Sequence, residues 1–295
     1  MPKLTRVIMG VDFCPPSAEA ARWTALHFAP EAEIFLVHAI DLPQPPAFLR
    51  GRFPPHEDLV LTQRVGAEAR FKELGPWFRS ERIETEVAAG RAAEALLVAS
   101  DLHGADLVAV GVPGCRRGAW RWLGTTAEQL VRSATVPVLL VRHPADRPPS
   151  GILVPFDGSR TAESSLRWAG FLAERFDASV FVLYVIDPSV HALVPEVVPP
   201  LRSRHLGEQA KRDAKSWLET EIGEAGLDPG AVEPMVVFGD PACEIIAAIA
   251  RLGVDLVVMG GRGAGAAKSF LLGAVGHSIL DGAPCSVFVV DGLDG

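Results

Sequence analysis

The residues best placed to do chemistry are glycines. Gly111-Val112-Pro113-Gly114 follows a short apolar run, and after nine further residues comes Gly124-Thr125-Thr126. Two glycines let a backbone turn tightly and come close to a ligand. A third glycine with a hydroxyl residue opens the helix-like stretch Ala127–Ser133, whose unpaired N–H groups and positive dipole end favour an anion. The spacing therefore suits a phosphate chain held between the loop and the helix start, with Thr125 adding a hydroxyl donor. The other reading of the same residues is a glycine-rich turn that binds nothing. Further along, Gly260-Gly261-Arg262-Gly263, nine residues and Gly273-Ala274 repeat the spacing, with alanine where the hydroxyl stood. One hydrogen bond to a charged group contributes roughly 1.5–3 kcal/mol, so the first copy is expected to be the better site.

Two acidic residues accompany these loops. Asp12 and Asp157 each end the first apolar run of their half. In a doubly wound sheet, ligands sit at the carboxyl ends of the strands where the strand order reverses. With strands two and three on one side of strand one and strand four on the other, each Asp faces its glycine loop and meets the ribose or base. Capping of the following helix is the competing role, and Asp often takes it.

Nothing else gathers into a reactive constellation. Cys14, Cys115, Cys243 and Cys285 contain no CxxC pair, and the eight histidines are scattered, so neither a zinc site nor a disulfide framework is expected. Cys14 and Cys115 border the first site, as separate thiols or as a redox pair. His38 reads as a half-buried strand residue. Arg116 and Arg117 lie in the phosphate loop, facing either phosphate or solvent. Gly263 to Ser269 resembles a P-loop only superficially, because Arg262 and Ala267 stand at its two glycine positions. Lys268 either reaches a phosphate or sits in solvent.

These residues need a scaffold, and the chain supplies it twice. Val11-Asp12-Phe13 and Arg22-Trp23 reappear as Phe156-Asp157-Gly158 and Arg167-Trp168, and Val138 to Val141 reappears as Val287 to Val290. A period this long is a domain duplication. The proline-rich join at 143–150 divides the chain into domains 1–145 and 146–295. Each half alternates strand and helix. The first has strands near Val7–Val11, Ile34–Ala39, Ile83–Val87, Leu107–Val110 and Val138–Val141. The second has them near Ile152–Pro155, Val180–Val185, Pro234–Val237, Leu256–Met259 and Val287–Val290. Short Val/Ile/Leu runs without polar alternation are strands buried on both faces of a parallel sheet. Alternation of such strands with helices such as Ala18–Phe28 and Ala162–Arg175 predicts an α/β chain of two tandem doubly wound five-stranded domains. The proline-rich segments Leu42–His56 and Pro188–His205 break the rhythm, as connectors or as lids beside the site.

A net charge of −8 argues against a partner with a phosphate backbone. No apolar run reaches the roughly 18 residues of a membrane helix, and the N-terminus has no signal-peptide pattern. A cytoplasmic protein is expected, with neither nucleic acid nor membrane as partner.

The strand-Asp starts (Val11-Asp12 and Phe156-Asp157-Gly158-Ser159), the Gly111/Gly114/Gly124/Thr125 pattern and the closing Val-rich strands together resemble a tandem universal stress protein, nearly end to end. The resemblance implies sheet order 3-2-1-4-5 in an adenine nucleotide alpha hydrolase-like fold. ATP-binding members use the same glycine pattern for phosphates and the early Asp for the adenosine part. By resemblance, Asp12, Gly111, Gly114, Gly124 and Thr125 take those roles, and Asp157, Gly260, Gly263 and Gly273 take them in the second half, where Ala274 departs from the pattern. It further implies ATP, with or without Mg2+, as the bound cofactor. The halves are expected to pack as an internal pseudo-dimer, with or without further homodimerisation, and unknown protein partners would read the nucleotide state. Binding with at most weak ATP hydrolysis fits better than a dedicated enzyme, since neither an SGGxDS loop nor a HIGH-type signature is present. A nucleotide-free interaction module and an adenylate-transferring enzyme on the same fold are the alternatives.

Overall fold

The computed structural model describes residues 2–42, 48, 54–75, 82–112, 124–142, 144–187, 204–261 and 273–290. They form two compact units, divided between Arg147 and Pro148.

In the first unit the elements run β1 (Arg6–Gly10), α1 (Pro15–Trp23), β2 (Glu33–Ile40), α2 (His56–Leu74), β3 (Ile83–Ala89), α3 (Ala92–His103), β4 (Leu107–Gly111), α4 (Thr125–Ser133) and β5 (Val138–Val141). Every described pairing among these strands is parallel, in the order β3-β2-β1-β4-β5. The second unit repeats this with β6 (Gly151–Pro155), α5 (Arg160–Phe176), β7 (Ser179–Ile186), α6 (Arg204–Glu224), β8 (Val232–Phe238), α7 (Pro241–Leu252), β9 (Leu256–Gly260), α8 (Ala274–Gly282) and β10 (Ser286–Val290). Its order is β8-β7-β6-β9-β10, again parallel. Both are the 3-2-1-4-5 arrangement, and each strand lies within two residues of its place in the sequence reading.

The apolar runs are strands for the reason their composition gives. Val7, Ile8 and Met9 are buried on β1, as are Ile152, Leu153 and Val154 on β6. A strand covered on both faces by crossover helices has no use for polar alternation. The outer strands β3 and β8 are only partly buried, and they alone carry Glu84, Glu86 and Glu233 inside a strand. The first helix begins earlier than its apolar periodicity suggests, because Pro15 and Pro16 fit the opening positions, where a missing N–H costs nothing. It closes as a π-helical turn, Thr24–Phe28.

The amino edge of each sheet is fastened by one aspartate that the sequence reading did not single out. Asp106, just before β4, accepts from the Thr5 and Arg6 amides at 2.8 and 3.1 Å and from the Thr5 hydroxyl, and it pairs with Lys3 at 2.8 Å. Asp255, just before β9, accepts from the Ser150 and Gly151 amides at 3.0 and 3.2 Å. These bonds fix strand one against strand four at one edge, which sets their register at the other, where the candidate site lies.

Candidate functional site

In each unit the strand order reverses between the first and fourth strands, the topological switch point at which α/β sheets form a crevice. In the first unit β1 and β4 run in register from Val7 opposite Leu107 to Gly10 opposite Val110. Asp12 follows β1 by two residues, and Gly111 ends β4. Helix α1 packs directly on this junction. A methyl group at Gly111 would lie 3.0 Å from the Ala20 Cβ, the Pro16 carbonyl oxygen and the Ser17 Cα. Ser17 in turn donates its hydroxyl to Asp12 Oδ1 at 2.5 Å. Asp12 and Gly111 are thus joined through one turn of α1. A side chain there would press on α1, a packing constraint separate from any ligand. Gly260 is tighter still, since a methyl group would meet Thr161 Oγ1 at 2.5 Å and its Cβ at 2.6 Å.

The aspartates share one geometry. Asp12 Oδ1 accepts from the Cys14 amide at 3.0 Å, and Asp157 Oδ1 accepts from the Ser159 amide at 3.0 Å. Neither is the cap residue of the following helix. Cys14 caps α1 with no side-chain bond, and Ser159 caps α5 by accepting from the Ala162 amide at 3.2 Å. Each Asp instead orders the cap residue from two positions upstream, through its Oδ1. Oδ2 of Asp12 has no hydrogen bond to any described residue. Burial pushes the Asp12 carboxyl upward, but hydrogen bonds from Cys14 and Ser17 outweigh it and leave it below the ordinary value, so it is ionised at neutral pH. The same neighbour acts oppositely on Cys14. Burial and then Asp12 raise its thiol, which holds it protonated and makes it a poor nucleophile.

The residue after each aspartate has a left-handed backbone. Gly158 has φ +76° and Phe13 has φ +63°. Glycine adopts this conformation freely, whereas a bulky residue there is strained. The Phe13 ring is held by three groups. His38 lies 4.6 Å away between centroids, Phe71 lies 4.9 Å away edge-on, and the Arg70 guanidinium sits 5.3 Å over the ring. His38 is itself fixed by a hydrogen bond between Nδ1 and the Val11 carbonyl at 2.8 Å. In the second unit the corresponding corner is covered by Trp217, whose ring would lie 3.2 Å from a methyl group at Gly158 and which packs on Phe156 and Tyr184.

The helix after the fourth strand begins at the same carboxyl edge, because α4 crosses between parallel neighbours β4 and β5. Gly124 caps it with φ +87° and ψ +143°, a conformation reserved for glycine, and no described residue stands within 4 Å of where a Cβ would be. The first helical bond runs from the Glu128 amide to the Gly124 carbonyl. The amides of Thr125, Thr126 and Ala127 therefore have no partner within the helix. The Thr125 side chain is exposed. Gly273 caps α8 with φ −63° and ψ +158°, which any residue can adopt, and Ala274 follows it. The two caps differ in backbone as well as in sequence. Gly114, Gly263, Cys115, Arg116, Arg117 and Lys268 lie outside the described residues, as does most of each proline-rich segment.

Sequence reasoning missed Ser17 and the Phe13 corner. The second carried a signal: the 145-residue offset that aligns Asp12 with Asp157 also aligns Phe13 with Gly158. No helix among the described residues is long and apolar enough to cross a membrane.

The fold and its switch-point junction define a tandem pair of small doubly wound α/β domains. The model of the universal stress protein family matches residues 3–142 and again residues 150–291, and the chain belongs to that family. It is 25% identical over 303 residues to a universal stress protein of Mycobacterium tuberculosis, an alignment covering 96% of this chain and 95% of that one. It is 31% identical over 144 residues to a universal stress protein of Methanocaldococcus jannaschii, covering 47% of this chain and 80% of the relative. The crystal structure of a universal stress protein from Archaeoglobus fulgidus matches the fold with a TM-score of 0.70 at 19% identity, covering 97% of this chain and 98% of that one.

Proposed function

We propose that this chain is an ATP-binding stress-response regulator that holds its nucleotide mainly in the first domain. The observation that carries the reading is the Gly124 cap. Its backbone is open only to glycine, no described residue stands within 4 Å of where a side chain would start, and it presents three amides without helical partners beside the Thr125 hydroxyl. Such an end suits a phosphate chain. The ionised Asp12 would repel phosphates, and its Oδ2, which no described residue engages, suits a hydroxyl or amino donor of the adenosine part. Mg2+ would enter as the counter-ion of the triphosphate. Gly111 and Gly114 would bring the loop backbone to the phosphates. Asp157, Gly260, Gly263 and Gly273 would form the weaker second site, where Ala274 supplies no hydroxyl.

The proposed role is binding with at most slow hydrolysis, since Asp12 is half engaged in ordering α1 and the Cys14 thiol is held protonated. Occupancy would then be read by protein partners. Calorimetric titration with ATP tests this. The wild-type chain is expected to bind, and Thr125→Ala is expected to lose about tenfold or more in affinity, the worth of one hydrogen bond to a charged group. Equal affinity in the two proteins would overturn the assignment of the phosphate site to α4.

A further inference from the structure

We propose that Phe13 is a positioning residue for the Asp12 carboxylate, and that this aromatic anchor is what separates the first domain's site from the second's. The inference rests on the nucleotide reading above and adds a residue to it.

Phe13 stands directly after Asp12 in a left-handed backbone, where every residue but glycine is disfavoured and a bulky one especially so. Such strain persists only where the surroundings over-determine it, and it gathers at functional sites. Here the surroundings are a socket of three side chains on two other elements: His38 from β2, and Phe71 and Arg70 from α2. Phe71 is buried, and His38 is tied to the Val11 carbonyl, one residue before Asp12. The socket therefore grips the turn from both sides of Asp12, through the Val11 carbonyl before it and the Phe13 ring after it. Asp12 Oδ1 is committed to Cys14 and Ser17 at the start of α1. With the backbone anchored toward α2 and one oxygen anchored toward α1, Oδ2 has a fixed direction.

The second domain lacks this arrangement. Gly158 holds the same backbone without strain and without a side chain, and Trp217 merely lies against it. The turn that carries Asp157 has no ring of its own seated in a socket. An adenosine group meeting Asp12 would find the carboxylate already oriented by the socket, a brace that the Gly158 turn, with no side chain, does not provide. Preorganisation of this kind raises affinity by lowering the ordering cost.

The test uses the full chain, two probes and Phe13→Gly, which keeps a backbone that the second domain shows glycine can hold. ATP reads the whole site, and inorganic tripolyphosphate reads only the phosphate part. Phe13→Gly is expected to weaken ATP binding about tenfold and to leave tripolyphosphate unchanged, with Phe13→Tyr restoring the wild-type value. In an Asp12→Asn background the same change is expected to have no further effect on ATP, because Phe13 acts through that carboxylate. Phe71→Ala, which empties the socket while leaving Phe13 in place, is expected to reproduce the selective loss. ATP affinity that is unchanged or higher in Phe13→Gly, or a loss shared equally by tripolyphosphate, would overturn the inference while leaving nucleotide binding intact. A wild-type chain that binds tripolyphosphate and ATP equally would overturn it too. A wild-type chain that binds neither would overturn the nucleotide reading and this inference together.

Discussion

Phe13 and Gly158 occupy the same backbone conformation, φ +63° and +76°, one residue after the first-strand aspartate of their domains. One site thus carries a strained aromatic where its duplicate carries the residue suited to the turn. The duplication makes each domain a control for the other, and several expectations come from that comparison.

Gly158→Ala is expected to destabilise the second domain by about 1–2 kcal/mol, the cost of a left-handed non-glycine residue. The added methyl group would also press on the Trp217 ring at 3.2 Å. Urea denaturation followed by tryptophan fluorescence measures it. Unchanged stability would mean that the turn relaxes to another conformation.

Gly260→Ala is expected to cost about 1–3 kcal/mol by overpacking, because Thr161 is buried and its side chain stands 2.5 Å from the new methyl group. Gly111→Ala meets backbone atoms of α1 at 3.0 Å and falls in the same range. Denaturation without any nucleotide reads both effects. A loss seen only in the presence of ATP would mean that these glycines matter through the ligand alone.

The two caps should respond differently. Gly124→Ala forces a side chain into a conformation that costs of order 1–3 kcal/mol and is expected to lower both stability and ATP affinity. Gly273→Ala places alanine in an ordinary extended backbone with no described residue within 4 Å of the new methyl group, and is expected to be nearly silent. Thermal unfolding and calorimetry of the pair decide this, and equal effects would contradict the structural difference between the caps.

Asp106→Ala is expected to cost about 1–3 kcal/mol at neutral pH by removing the acceptor of the Thr5 and Arg6 amides. Burial raises the Asp106 carboxyl, but bonds from Lys3, Thr5 and Arg6 outweigh it and lower it overall. Its folded value lies below the unfolded one of about 3.9. The stability it adds is therefore present above that value and is lost as pH falls through the folded one. Acid titration of stability should be shallower in the variant than in the wild type.

Much of this fold was legible because burial on both faces leaves a plain mark. The buried runs Val7–Met9 of β1, Leu107–Val110 of β4 and Val138–Val141 of β5 are wholly apolar, and no competing helical period obscures them. Gly111 and Gly124 were visible by spacing, but spacing could not separate their duties. Gly111 answers to the packing of α1, and Gly124 answers to its own backbone angles. Asp106 and Asp255 were invisible because a single aspartate before a strand looks like any surface acid, and its partners are about a hundred residues away in the chain. Phe13 looked like an ordinary apolar residue because its meaning lies in a dihedral angle.

Native mass spectrometry of the purified chain and its Thr125→Ala variant reads nucleotide occupancy at α4 directly. One adenine nucleotide is expected per wild-type chain, with clearly lower occupancy in the variant at the same nucleotide concentration. A chain that carries no nucleotide and ignores added ATP, or a variant with the same occupancy as the wild type, would contradict a phosphate site at α4.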